Sequence, residues 1–204
     1  MPHSKISARK KLQASDPLAQ FTRWFREEVV AGTELPEAMA LATAGRDAIP
    51  SVRFVLLKQA DEQGFCFYTD IRSPKGRQLI ENPHAAMVFY WGRKGRQVRI
   101  DGAVEPMSAR EADEYWATRP LASRLSGSIS HQSHPIGSRE ELVARVAELR
   151  RKLNRKAPPR PDYWRGFRVI PKQIEFWVHA PHRLHRRELF VRSAGGWRKT
   201  LLQP

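Results

Sequence analysis

The chain has 204 residues, of which 41% are apolar and 28% charged. That is long enough to bury a substantial core and too apolar for a disordered chain. Lys and Arg number 36 against 21 acids, a formal charge of +15, which favours anionic partners (phosphorylated metabolites, nucleic acid or acidic lipid) without choosing among them.

The single cysteine, Cys66, excludes an internal disulfide, and its setting in Phe65-Cys66-Phe67-Tyr68 reads as a small core residue. No apolar run approaches the ~20 residues of a membrane helix, and the basic N-terminus lacks the apolar segment of a secretory signal. A soluble cytoplasmic protein is expected.

Residues 1–14 carry Lys5, Arg9, Lys10 and Lys11 and no acid. They read as a basic flexible arm ahead of one domain over 15–204. Asp16 as N-cap and Pro17 at the first helical position start a helix. Leu18, Phe21, Phe25 and Val29 give it an apolar face, and Gly32 can close it. AMALATA (38–44) reads as a buried strand that turns at Gly45-Arg46-Asp47 into a second strand over Ser51–Gln59. That strand and Phe65–Thr69, joined by Asp61-Glu62-Gln63-Gly64, read as an antiparallel hairpin. Arg53 and Lys58 lie inside it, with no acid between Val52 and Gln59. A charge among apolar neighbours needs a partner; either an anionic ligand supplies one or both side chains face solvent.

Ser73 and Pro74 start a short helix that ends at Asn82-Pro83. Its free N–H groups and Lys75 suit a phosphate, although a capped helix with a solvated lysine has the same pattern. His84–Trp91 and Gln97–Val104 pair across Gly92-Arg93-Lys94-Gly95. A helix runs from Ser108 through Ala112, Tyr115 and Trp116 to Arg119-Pro120. Ser123–Gly137 reads as a polar, flexible segment. Ser138 and Glu141 make a capping box for a helix over 138–153, with Leu142, Val146, Leu149 and Leu153 on one face. Beyond the Pro-rich loop NRKAPPRPD, strands return at 167–170, 173–178, 188–192 and 197–202. Strands at both ends, tight turns and a helical insert predict an α+β, mainly β fold: an antiparallel Greek-key barrel flanked by helices. No βαβ alternation or Gly-rich dinucleotide fingerprint is present.

Several constellations compete for function. His131 with His134, and His182 with His185, have metal-compatible spacings but no cysteine or obvious carboxylate beside them, so no metal site is expected. Ser133 lacks the strained Gly-x-Ser-x-Gly turn of a nucleophile. Basic residues from Arg145 to Arg168, interleaved with Tyr163, Trp164 and Phe167, could bind single-stranded nucleic acid, although basic helix faces are more often solvated. The run His182 to Arg187, directly after Ile174-Glu175-Phe176-Trp177, is dense enough in cations to need screening by solvent or an anion, unless it is a solvated edge strand that blocks aggregation.

RFVLLK (53–58), FYTD (67–70), RQV (96–98), Tyr115…Arg119-Pro120…Ser123, HQS (131–133), QIEFW (173–177) and RLHRR (183–187) together resemble the pyridoxamine 5′-phosphate oxidase family. The match runs in order from about Asp16 to the C-terminus. The resemblance implies an FMN-binding split barrel that works as a homodimer, with both flavin sites at the subunit interface. It assigns FMN to Arg53, Phe54, Val55, Leu56, Leu57, Lys58, Tyr68, Thr69, Lys75, Gln97, Gln132, Ser133, Trp177 and Arg187. The phosphorylated vitamin B6 substrate falls to Lys58, Tyr115, Arg119, Ser123, Arg183 and His185, with Arg183 and His185 covering the reacting carbon as catalytic residues. The implied chemistry oxidises pyridoxamine or pyridoxine 5′-phosphate to pyridoxal 5′-phosphate, with dioxygen as acceptor. A flavin oxidase acting on phenazine precursors shares this scaffold and is the alternative.

The chain departs from the family's pattern at several positions. Pro74 replaces a second basic residue, Arg186 an Asp, Leu202 an Arg, and Arg124 and Ser128 a Gln and a Trp. Arg53 and Lys58 stand five apart, so a regular strand points them to opposite faces; a site between subunits or a bulge would be needed to employ both.

Overall fold

The computed structural model describes residues 5–6, 16–154 and 156–204. The expected basic arm lies outside the described residues except for strand β1 (Lys5–Ile6). Helix α1 (Pro17–Val30) begins where its capping residues place it: the Leu18 N–H donates to Asp16 Oδ1 at 2.9 Å, and Pro17 opens the helix. Then come β2 (Ala38–Ala44), β3 (Pro50–Leu56), β4 (Gln59–Asp61), β5 (Gly64–Asp70), α2 (Pro74–Glu81), β6 (His84–Trp91) and β7 (Arg96–Pro106). Three helices, α3 (Ala109–Thr118), α4 (Leu121–Ile129) and α5 (Arg139–Lys152), lead to β8 (Trp164–Val178), β9 (Arg186–Ser193) and β10 (Gly196–Leu202).

The strands form one curled sheet in the order β1-β4-β5-β8-β7-β6-β2-β3, with β9 on β8 and β10 on β9. All pairings are antiparallel except β1 with β4. The mainly β, antiparallel fold expected from the strand pattern is what forms, and it takes the split-barrel form that the resemblance implied. β8 makes the split. Its residues Trp164–Val169 pair with β5 and its residues Gln173–Val178 with β9, while β7 pairs with both halves. The β7–β8 register shifts between Asp101 and Gly102. A Cβ on Gly102 would lie 1.9 Å from the Ile170 carbonyl oxygen, so only glycine allows this approach.

Alternating apolar residues from β5 to β8 meet the apolar face of α1. Phe21 is fully buried, edge-on to Phe65 (4.9 Å) and Phe89 (5.1 Å), and Trp24 packs edge-on to Phe176 (5.0 Å). Truncating a side chain such as Phe21 to alanine would cost about 3–5 kcal/mol.

Three local expectations are corrected. The stretch Ser51–Gln59 is not one arm of a hairpin with Phe65–Thr69. β3 pairs along its whole length with β2, and only Gln59–Asp61 turns back on β5. The changeover falls at one peptide: the Leu57 N–H donates to Glu37 O (2.9 Å) and the Lys58 N–H to Cys66 O (2.8 Å). Composition alone cannot reveal which neighbour a strand chooses. The expected flexible segment Ser123–Gly137 begins inside α4, where Leu125 is buried and Pro120 sets the entry. The strands expected at 167–170 and 173–178 are one continuous β8, because Pro171 sits at the register shift. α5 starts on Ser138 as expected, with the Glu141 N–H donating to its Oγ (3.2 Å), yet none of its residues is fully buried.

Candidate functional site

A cavity of about 730 Å³ opens between the β3 edge, the ends of β5 and β8, the start of α2, and helices α3 and α4. It is lined by Arg53, Phe54, Val55, Leu56, Lys58, Tyr68, Thr69, Lys75, Tyr115, Arg119, Ser123, Gln132 and Ser133 from the expected set. The concern over Arg53 and Lys58 is resolved here. β3 is the edge strand of the sheet, and Lys58 lies two residues beyond its end at Leu56, after the chain has changed partner. Strand alternation therefore no longer relates Lys58 to Arg53, and both line the same cavity. Of the expected FMN stretch, Leu57 alone turns away, into the core with no exposure.

One corner is cationic. Lys75, 7% exposed on the first turn of α2, donates from Nζ to Gln132 Oε1 at 2.8 Å and to Ser73 Oγ at 3.4 Å. The Ser73 hydroxyl also caps α2, accepting from the Gly76 N–H. The Arg53 guanidinium donates to Leu41 O (3.2 Å), Thr43 Oγ1 (2.5 Å) and Ser51 Oγ (2.6 Å). Among the described residues, none of Arg53, Lys58, Lys75 and Arg119 forms an ion pair. Asp70 lies in the wall, but its carboxylate is taken by Arg72 (2.7 Å). Burial therefore lowers the pKa of all four cations, that of Lys75 to about 8 with the Arg53 charge adding to the effect. Such a group of unneutralised charges is a standing cost that an anion would relieve.

The opposite wall is aromatic. Tyr68 stacks on Tyr115 at 4.2 Å and on Trp164 at 4.9 Å, and the Arg119 guanidinium lies 4.7 Å over Trp164 and 4.9 Å over Trp116. Arg119 Nη1 is buried with no hydrogen-bond partner. Gly166 makes the stack possible, since a Cβ there would lie 2.7 Å from Tyr68 Cε1. α3, which carries Tyr115, is tied to the sheet by Arg168. Its guanidinium reaches Asp61 (2.9 Å) and Glu111 (3.3 Å).

The remaining expected residues form a second group, outside this cavity's lining. Gln97 pairs in register with Trp177, and Trp177 with Arg187. The His185 ring lies 4.6 Å from Trp177, and Arg183 is exposed in the turn before β9. The Arg187 guanidinium donates to Glu175 Oε1 at 2.7 Å and to Gln203 O at 3.0 Å, and its pairing with Glu175 raises its pKa. Sequence reasoning missed Trp164, Ser126, Ser130 and Leu142 as lining residues. It also missed Gln78, whose Oε1 accepts from Ser51 (2.9 Å) and Thr43 (2.6 Å) and so braces the Arg53 contacts. Trp164 carried a signal as one of three aromatics in a basic stretch; Gln78 carried none. No group of three or more His, Cys, Asp or Glu side chains suited to a metal occurs among the described residues, and no described helix is long and apolar enough to cross a membrane.

The family model described as pyridoxamine 5′-phosphate oxidase matches residues 25–152. The model described as the pyridoxine 5′-phosphate oxidase C-terminal dimerisation region matches residues 164–204. The chain belongs to the pyridoxamine 5′-phosphate oxidase family. It is 50% identical over 189 residues to a pyridoxine/pyridoxamine 5′-phosphate oxidase of Rubrobacter xylanophilus, covering 93% of this chain and 87% of that one. It is 45% identical over 205 residues to the protein of that name from Burkholderia vietnamiensis, covering 99% and 95%. Among solved structures it resembles PhzG from Burkholderia lata, determined in complex with tetrahydrophenazine-1-carboxylic acid. The TM-score is 0.88 and the identity 36%, over 98% of this chain and 99% of that one. Within the pyridoxamine 5′-phosphate oxidase family, then, the chain is similar both to proteins named for pyridoxine and pyridoxamine 5′-phosphate and to one determined with a phenazine-type carboxylic acid.

Proposed function

We propose that this protein is an FMN-dependent oxidase of pyridoxamine and pyridoxine 5′-phosphates, working as a homodimer. The observation that carries the reading is the cavity in which Arg53, Lys58, Lys75 and Arg119 converge without an ion-pair partner, its one carboxylate, Asp70, being taken by Arg72, beside an aromatic wall. The orphaned Arg119 Nη1 and the buried Lys75 fit phosphate groups, and two phosphates, one on the cofactor and one on the substrate, match the count of cations.

In this reading Arg53, Lys75, Thr69, Gln132 and Ser133 hold the FMN phosphate end. Lys58, Arg119 and the hydroxyls of Tyr115 and Ser123 grip the substrate phosphate by charge-assisted hydrogen bonds. Bound FMN supplies hydride acceptance from the substrate C4′ and reoxidation by dioxygen to hydrogen peroxide. Gln97, Trp177, Arg183, His185 and Arg187 complete the site from a second copy. Exposed Val52 (68%) and Phe54 (76%) on edge strand β3 offer the apolar surface such a copy would cover. Arg183 and His185 then orient the reacting carbon, which positioning alone can favour by many orders of magnitude.

A second reading, oxidation of a carboxylated tricyclic ring, is favoured by the likeness to PhzG. Purified protein offered each substrate class under air separates the two. Hydrogen peroxide released with pyridoxine or pyridoxamine 5′-phosphate supports the first, and release only with a dihydrophenazine carboxylate supports the second. Arg183→Ala combined with His185→Ala should cut turnover of the B6 phosphate on the order of 100-fold while flavin content stays near wild type. Equal loss of both would assign the pair to folding or cofactor retention.

A further inference from the structure

We infer that His185 is a positioning residue for Arg183: its ring, fixed as the Nε2–H tautomer, staples shut the loop that displays the guanidinium. The inference rests on the reading of Arg183 as substrate-facing, but its structural half stands on the loop alone. Between Ala180 and Arg186 the chain makes a single tight turn. The Leu184 N–H donates to Pro181 O at 3.1 Å, and the His185 N–H donates to Arg183 O at 2.8 Å, a three-residue turn.

Within that turn His182 (φ 56°) and Arg183 (φ 62°) are consecutive non-glycine residues in the left-handed region, which L-residues adopt only when something over-determines it. Packing does not. Pro181, His182, Arg183 and Leu184 are all exposed. What closes the loop mouth is a side chain: the Ala180 N–H donates to His185 Nδ1 at 3.2 Å. The imidazole is held in turn by the Trp177 ring at 4.6 Å and the His179 ring at 5.4 Å.

A backbone N–H can only donate, so Nδ1 must offer its lone pair, and in the neutral ring the proton then sits on Nε2. Two consequences follow. His185 faces outward as a hydrogen-bond donor through Nε2–H, and its Nδ1 lone pair is already used. Its main effect on the reaction passes through Arg183, whose backbone it holds in the strained conformation. His185 therefore contributes alignment, and not removal of a substrate proton at Nδ1.

The test uses the full-length protein in two arms. In uniformly ¹⁵N-labelled protein, with His185 resonances identified by their absence from His185→Asn, the expected pattern is an unprotonated Nδ1 and a protonated Nε2. The Ala180 amide should exchange with solvent about five-fold or more faster in His185→Ala than in wild type, the effect of losing one hydrogen bond. In the kinetic arm, the double variant Arg183→Ala/His185→Ala should lose no more kcat than Arg183→Ala alone, within about two-fold, because residues acting through one another are not additive. His185→Asn, whose Oδ1 can accept from the Ala180 N–H, should restore part of the kcat lost in His185→Ala while KM stays raised. A proton on Nδ1, unchanged Ala180 exchange, or multiplicative kcat losses would overturn the inference. If no B6 phosphate is turned over at all, the kinetic arm falls with the proposed function, and the tautomer and exchange measurements still decide whether the staple exists.

Discussion

Lys75 and Gln132, 57 residues apart in the chain, meet at 2.8 Å, and Gln132 Oε1 accepts from Thr69 Oγ1 (2.9 Å) at the same time. The amide oxygen is thus occupied, and its NH₂ is left to donate elsewhere. Lys75 hydrogen-bonds to neutral acceptors only, and the nearby Asp70 carboxylate, which favours its charged form, is itself paired with Arg72, so its charge is oriented without being cancelled. An arriving phosphate would meet the whole of it.

This has a pH consequence with a definite sign. Burial, reinforced by Arg53, lowers the Lys75 pKa from 10.5 to about 8. Between those values the folded protein has released a proton that the unfolded chain still holds, so the cofactor-free protein gains stability as pH rises from about 8 to 10.5. Phosphate binding requires the charged form, so FMN affinity should fall over the same window with proton uptake on binding. Titration of flavin fluorescence from pH 7 to 10 checks it. Lys75→Met should weaken FMN retention about 10- to 100-fold at pH 7 and flatten the pH dependence.

Glu188 behaves in the opposite sense. Its burial alone would raise the pKa, but hydrogen bonds from Lys199 (2.8 Å), Arg186 and Gln20 (3.2 Å) carry it down to about 2 from 4.5. The stability it supplies is complete above pH 4.5 and is lost as pH falls toward 2. Arg186, which stands where the family usually has an Asp, thus finds its partner two residues along the same strand. Glu188→Gln should lower stability by about 1–2 kcal/mol at pH 7 and flatten the acid limb of the stability curve, measured by urea unfolding between pH 3 and 7.

The β3 edge makes a prediction about assembly. Val52→Lys with Phe54→Lys places charge on an exposed apolar strand face, where it costs the isolated chain little. Light scattering after size exclusion should show half the wild-type mass, with flavin lost alongside. A dimer of unchanged mass would remove β3 from the interface.

Gly166 makes a prediction about the aromatic wall. A Cβ at this position would fall 2.7 Å from Tyr68 Cε1 and 2.8 Å from Met107 Sδ. Gly166→Ala should therefore displace Tyr68 from its stack, at a cost of about 1–3 kcal/mol for overpacking. The expected result is a raised KM for the phosphorylated substrate with modest change in flavin content, checked by steady-state kinetics alongside thermal unfolding.

Much of this was legible in the residues. Asp16-Pro17 and Ser73-Pro74 announced helix starts because capping is local chemistry, settled within one turn. The strands at 38–44 and 84–91 fell where apolar runs met turn residues. The ordered series of motifs from Arg53 to Arg187 pointed to the family, and hence to residues that converge on the cavity.

What those motifs could not convey was partnership. Lys58 and Arg53 share a cavity because β3 ends the sheet and the chain changes partner between Leu57 and Lys58. Arg183, His185 and Arg187 stand apart from Lys75 because β8 sends β9 to its second half and β5 to its first. The sequence by itself determined which segments curl into helices or extend as strands, since capping and side-chain periodicity act between residues a few positions apart. Tertiary structure alone decided which cations share a wall and which stand apart, because sheet register is set by cooperative burial of residues distant in the chain.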